Sequence, residues 1–496
     1  MIIQQEVAEM IVKSFATLSK NIAIQAHGYL ASHSKPIGYC KYPILQPKIE
    51  CSDPETQKSI DEIPYNKFNI PRYELRDFPK DRVLYSAIFD GYGNDTIDIL
   101  ENSEFQALVK TIVENDELKR CFFEDEKNCE YTIKSIVRDI VIKYLYNINA
   151  TDDVPNNIEE LIFDITLLKL WRYLGNSLEI DICIPISLLT FESDTIPLSD
   201  TIEIVRIPEE VQKARKQACQ YEMNNEGYVA ACATHMLVLH GYQLDNKEYI
   251  SINYTTRNYH IYPLDEIDNI FSIIRIVTGF SCGYAQVLSV PLDWFDTIFE
   301  DLKPMYGAKT PFVNSKELEK HWMQLDINTV SKSQITSIQT LYGNLNAIKN
   351  KDQNSNFMFA LKRLNRCMLR NEQDDMAIDA TIGLEALLSG GAKTEITYTL
   401  SNRIGVVFSK NNDTDYKISE CRDIMKKIYA YRSTVVHGGK IKEKNKYIDI
   451  NGEKREIEKI AVDFLRQTLF FVLNNPQYLD AQKFDSFIDE AIANNE

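Results

Sequence analysis

The spacing of apolar residues divides the chain into three textures. Met1–Ser19, Glu130–Asn147 and Asn157–Leu174 repeat apolar side chains at helical spacing, and Lys35–Pro71 between them carries prolines and cysteines in loops and short strands. From about Leu178 apolar and polar residues alternate. Leu178–Ile186 and Thr201–Ile207, both rich in isoleucine, predict strands, as do Met236–Tyr242, Tyr249–Thr255 and Gln286–Val290. Pro208-Glu209-Glu210 opens a helix to about Tyr221, because proline and acids suit a first turn, and Asp265–Ile274 predicts another. From about Ser337 strand signals nearly vanish. Helical spacing then marks Ile338–Lys349, Ser355–Leu369, Asp374–Leu388, Glu395–Phe408, Ile418–Tyr431 and Glu453–Leu473, with Gly390-Gly391 and Asn411-Asn412-Asp413 as stops. Short loops imply antiparallel neighbours and hence a bundle. The expected fold class is α+β, with a mixed helical region over 1–175, an α+β region over 176–336 and a helical bundle over 337–496.

Charge divides the chain differently. The whole carries −17, which argues against broad attraction to nucleic acid. Thr340–Glu496 holds 23 basic and 22 acidic residues, net +1, whereas Met1–Gln339 holds 32 and 50, net −18. The last third is free to carry a local basic patch. No stretch is apolar for long enough to cross a bilayer, and the start, with Glu6 and Glu9 and no basic run, does not read as a secretory signal. Ten cysteines without a CxxC pair or zinc-finger spacing predict reduced, mostly buried thiols in a cytoplasmic protein, with no metal and no cofactor.

The candidate chemistry lies in Tyr429-Ala430-Tyr431-Arg432-Ser433-Thr434-Val435-Val436-His437-Gly438-Gly439. Arginine grips a phosphate through two parallel hydrogen bonds, and histidine, with an ordinary pKa of ~6.5, gives or takes a proton near neutrality. When a 2′-hydroxyl attacks the neighbouring phosphorus, those two tasks suffice to cut RNA without a metal. Residues five apart in an unbroken helix point about 140° away from each other. Either the helix breaks between Arg432 and His437, as Val435-Val436 and Gly438-Gly439 suggest, or a second subunit completes the pocket. Downstream, Lys440, Lys442, Lys444 and Lys446 occupy every second position, and on an extended arm they would line one side and meet phosphates. The plainer reading of that segment is a solvated hairpin tip.

Three ordered blocks resemble the HEPN superfamily, and within it the Apea-like branch associated with anti-phage abortive infection. They are Ile382-Gly383-Leu384-Glu385-Ala386-Leu387-Leu388, Leu400-Ser401-Asn402-Arg403-Ile404-Gly405 and the Arg432/His437 signature. The resemblance covers the last third of the chain. It implies a metal-independent endoribonuclease in which Arg432 and His437 are catalytic and Ser433 is secondary. It also implies a homodimer through the bundle and RNA, tRNA among the candidates, as substrate. Glu385 would anchor the signature by pairing with Arg403 or Arg432. The acidic front part would sense a phage-derived trigger or hold the nuclease in check. Ser433 departs from the asparagine, aspartate or histidine common at its position. The family also has inactive members, so a non-catalytic scaffold that binds nucleic acid or a partner protein is the alternative.

Other motifs carry less. Gly279-Phe280-Ser281-Cys282-Gly283 fits GxSxG, for which Ile273–Thr278 would have to supply a strand and Tyr284–Val290 a helix, although the latter looks extended. His235 and His240 sit at odd spacing on a strand, on opposite faces, and would not share a metal. No glycine-rich phosphate loop is present.

Overall fold

The computed structural model describes residues 3–493 apart from 34–40, 47, 63, 68–69, 71, 78–82, 91–95, 124–125, 151–152, 219–230, 247–251, 297–301, 310–321, 323–324, 350–354, 371, 392–394, 411–415 and 417. The front part packs the helices α1 (Gln5–Ser32), α2 (Ser103–Val113), α3 (Cys129–Asn147) and α4 (Ile158–Leu174) around one apolar core that includes Phe15, Phe122 and Leu145. A two-stranded antiparallel ribbon, β1 (Lys41–Gln46) with β2 (Arg72–Asp77), packs instead against the helix Glu209–Ala218 of the next region. The buried Lys169 bonds Asp139 at 2.8 Å and lies 3.6 Å from Asp296, so an ion cluster ties α4 to the region that follows.

Alternation becomes a six-stranded antiparallel sheet in the order β5-β6-β7-β3-β8-β9. Its strands are β3 (Ser177–Pro185), β5 (Thr195–Pro197), β6 (Ile202–Arg206), β7 (His235–Asp245), β8 (Gln286–Pro291) and β9 (Tyr306–Lys309). The short β4 (Leu189–Phe191) pairs in parallel with β10 (Asn328–Val330) outside it. Period-two burial gives the sheet two apolar faces. One, with Cys183, Val238 and Leu288, is covered by helix α5 (Glu209–Ala218) through Val211 and Ala214; the other, with Ile180, Ile182 and Leu237, faces the bundle. The expected Tyr249–Thr255 strand is instead helix α6 (Ile252–Arg257), with residues 249–251 outside the described part. Ile252 and Thr256, four apart, are both buried, which is a helical stripe, and the Thr256 hydroxyl donates to the Ile252 carbonyl at 2.8 Å.

Helix α7 (Leu264–Thr278) lies between the sheet and the bundle. The bundle consists of α8 (Lys332–Lys349), α9 (Ser355–Leu369), α10 (Gln373–Leu388), α11 (Ile396–Lys410), α12 (Ile418–Val436), α13 (Ile457–Asn474) and α14 (Gln482–Ala493). Helix α10 packs on α9, α11, α12 and α13 at its centre. One apolar core runs from Leu178 to Phe484, so sheet and bundle share it, and the expected limit at 336/337 falls inside α8. Polar bonds close the seam. Glu266 accepts from Tyr342 at 2.7 Å and from Lys349 at 2.6 Å, and Arg466 of α13 donates to the Ile276 carbonyl at 2.9 Å.

The GxSxG segment follows α7, so Ile273–Thr278 is helix rather than the strand that motif needs. Gly279 (φ +68°) ends α7 in the left-handed conformation, and a Cβ at Gly283 would stand 2.9 Å from the Trp322 ring. Both glycines have packing reasons. The helix expected from Glu453 begins at Ile457, and the residues before it form a hairpin of β11 (Tyr447–Ile450) and β12 (Glu453–Glu456). None of the described helices is long and apolar enough to cross a membrane.

Candidate nucleic-acid interface

The signature lies on α12. Cys421, Ile424, Met425, Ile428 and Tyr431 form its buried stripe, which holds the helix against the core. Lys427, Ala430, Tyr431 and Thr434 recur at helical spacing along one edge of that stripe and line a groove of about 560 Å³. The helix does not break between Arg432 and His437. The His437 amide donates to the Ser433 carbonyl at 3.2 Å, as in a continuing turn, and termination comes one residue later. Gly438 (φ +69°) donates to the Val435 carbonyl at 2.9 Å and Gly439 to the Thr434 carbonyl at 2.8 Å. These are the two bonds of a Schellman cap, with the exposed His437 as the last residue before the left-handed glycine. The expected break is thus displaced, because the αL position needs glycine and His437 precedes it.

The two signature residues consequently leave the helix in different directions. Ala430, which lines the groove, is seven positions before His437, so His437 extends the groove-side stripe beyond Thr434. Arg432 is on the other side. Its Nη2 is 3.8 Å from Glu385 Oε2 on α10, its guanidinium lies 5.8 Å from the Tyr429 ring, and its buried Nε has no hydrogen-bond partner among the described residues. Burial and the Glu385 carboxylate raise the Tyr429 phenol above its ordinary pKa. Next to Tyr429 opens a wide depression of about 640 Å³ formed by the start of α11, with Tyr398 65% exposed. Glu385 therefore pairs with Arg432 rather than Arg403. Arg403 donates to Asp485 at 2.9 and 2.5 Å and to the Leu388 carbonyl at 2.6 Å, which ties α11 to α14 and caps α10. Ser433 is half-buried on the same turn.

The lysine segment does not form an extended arm. Glu443–Asn445 is a 3₁₀ turn, and it folds the run back toward α12. Lys440, Lys442 and Lys444 line the groove, whereas Lys446 pairs with Glu443 at 2.9 Å. Lys427, which the spacing of the motif alone did not single out, joins them from α12. Among the described residues no carboxylate lines this groove, and none lies within ion-pair distance of these four lysines. Tyr431 and Tyr447 supply aromatic walls, with the Tyr431 hydroxyl fixed on Asp374 at 2.6 Å. Lysines with no carboxylate in ion-pair contact among the described residues, set beside aromatic rings, suit a phosphodiester strand with unpaired bases.

His235 is fully buried on the sheet and its imidazole is pushed down to about 4, first by burial. His240 lies on the exposed side, bonded to Asp181 at 3.1 Å and Glu203 at 3.0 Å. The two histidines have no common hydrogen-bond partner among the described residues. No group of side chains able to hold a metal occurs among the described residues. No family model, no curated protein and no solved structure matches the chain.

Proposed function

We propose that this protein is a metal-independent endoribonuclease that binds RNA in the lysine groove and acts as the effector of an abortive-infection type of defence. The observation that supports this reading most is the exposed His437 at the end of α12, one helical step beyond Thr434 of a groove whose four lysines have no carboxylate within ion-pair distance among the described residues. The lysines hold phosphates, and His437 moves a proton at the scissile 2′-hydroxyl or 5′-oxygen. Arg432 of the same chain faces Glu385, so the guanidinium that stabilises the phosphoryl charge comes from a second copy. The Arg432 side chain keeps 24% of its surface open to solvent, which leaves it approachable. The acidic sheet and helical regions act as regulator, with tRNA among the candidate substrates.

The second reading, a non-catalytic scaffold, is favoured by the contact of Arg432 with Glu385 on the face away from His437. Incubating the full chain with total tRNA in EDTA separates the two. Cleavage that survives chelation and disappears in both Arg432→Ala and His437→Ala supports the nuclease. Intact RNA with retained binding supports the scaffold and ends the catalytic reading.

A further inference from the structure

The β11–β12 hairpin separates the lysine groove from a second, larger cleft, and Tyr447, 40% exposed, lines both. The second cleft has a volume of about 960 Å³ and opens where the bundle meets the sheet region, with Ser281 on its wall. Its lining includes the apolar side chains of Leu325, Met368, Met376 and Ile460 beside Tyr447. Lys454 and Lys459 stand over it. Lys459 is held by Glu456 at 2.7 Å, whereas the exposed Lys454 has no carboxylate within ion-pair distance among the described residues. The carboxylates present are engaged: Asp463 accepts from Arg466 at 2.8 and 2.6 Å. Cations outnumber carboxylates on the lining by five (Arg370, Lys454, Arg455, Lys459, Arg466) to two (Glu456, Asp463).

Resting on the reading of the lysine groove as an RNA site, we propose that the second cleft continues the same track and that the substrate is single-stranded RNA. The backbone passes the hairpin at Tyr447, a base stacks on that ring, and the following bases enter the apolar cleft with a phosphate near Lys454. Aromatic and apolar surfaces reward bases only when these are unpaired, since a duplex keeps its base faces stacked inside. A duplex is also too stiff to turn around a two-stranded ribbon. The sheet region therefore touches substrate directly, through the segment that follows α7.

Fluorescence anisotropy with the full chain tests this, using labelled single strands of about 4 and about 16 nucleotides and the duplex of the longer one. The long strand binds roughly tenfold more tightly than the short one, and Lys454→Glu removes that advantage while the short strand binds as before. Lys440→Glu, in the groove, weakens both. The retained short-strand affinity also reports that the Lys454 variant is folded. Equal affinities for the two lengths, a Lys454→Glu chain that keeps the length advantage, or a duplex that binds as tightly as the single strand each overturns the proposal. A wild-type chain that binds neither strand, or a Lys440→Glu variant without effect, is a distinct result that removes the groove reading and this proposal together.

Discussion

At the scale of single residues, the end of α12 shows how backbone chemistry places a side chain. His437 is presented at the helix terminus because Gly438 takes φ +69° and Gly439 sits where a Cβ would stand 2.8 Å from Thr434 Cγ2. Gly438→Ala imposes a left-handed conformation on an L-residue and costs about 1 kcal/mol, read as a lowered denaturation midpoint. It also displaces His437, so RNA cleavage falls more than stability does. Arg403 has a different role from Arg432 although both are arginines of the resembling blocks. Arg403→Ala removes two charged bonds to Asp485 and a cap on Leu388, costs about 2 kcal/mol, and leaves RNA affinity in place once the chain is folded. An Arg403→Ala chain that is stable but loses RNA affinity would place it in the site. His240 supplies a pH signature. Burial lowers its pKa, but the bonds to Glu203 and Asp181 outweigh that and raise it overall. Its stabilisation is therefore complete below the unfolded value of about 6.5 and lost as pH rises through the raised folded value. Urea midpoints of wild type and His240→Gln should differ most below about pH 6.5 and converge in alkali.

At the scale of elements, the groove is made by one helix and one folded-back turn, and its salt dependence measures how many lysines meet phosphate. Changing Lys440, Lys442 and Lys444 to alanine should lower the slope of log affinity against log salt by about 2, from roughly 0.7 per phosphate contact on a single strand. An unchanged slope would mean the lysines are merely solvated. Long regular elements were legible in the sequence, because helical spacing over Glu130–Asn147, Asn157–Leu174 and Ser355–Leu369 is reproduced within a residue or two. The alternating segments at Leu178–Ile186 and Gln286–Val290 became β3 and β8. Short elements were less so. Tyr249–Thr255 alternates over too few residues to separate strand from helix. The β11–β12 turn carried a readable signal in Asn451-Gly452, whose φ values of +55° and +90° suit a two-residue hairpin, yet the helical spacing after Ile457 obscured it. The four lysines and two tyrosines of the groove meet only in three dimensions. The sequence allows a helix break between Arg432 and His437, whereas the left-handed residue that ends the helix is Gly438.

At the scale of the whole molecule, sheet and bundle share one apolar core and several partly buried polar bonds, so a change in the sheet region is transmitted to the bundle through packed contacts. The acidic residues of the first two-thirds give a negative body beside a lysine-lined groove, which discourages non-specific binding of polyanions. On the proposed mechanism, His437 from one copy and Arg432 from another act on the same phosphodiester. The direct measurement is metal-free cleavage of tRNA by Arg432→Ala and His437→Ala chains, first singly and then mixed after co-refolding. Each variant alone should be inactive. The equimolar mixture should recover about a quarter of the wild-type sites, because half the dimers are mixed and each has one intact pair. A mixture as inactive as its components, from chains that dimerise and bind RNA normally, would contradict the account.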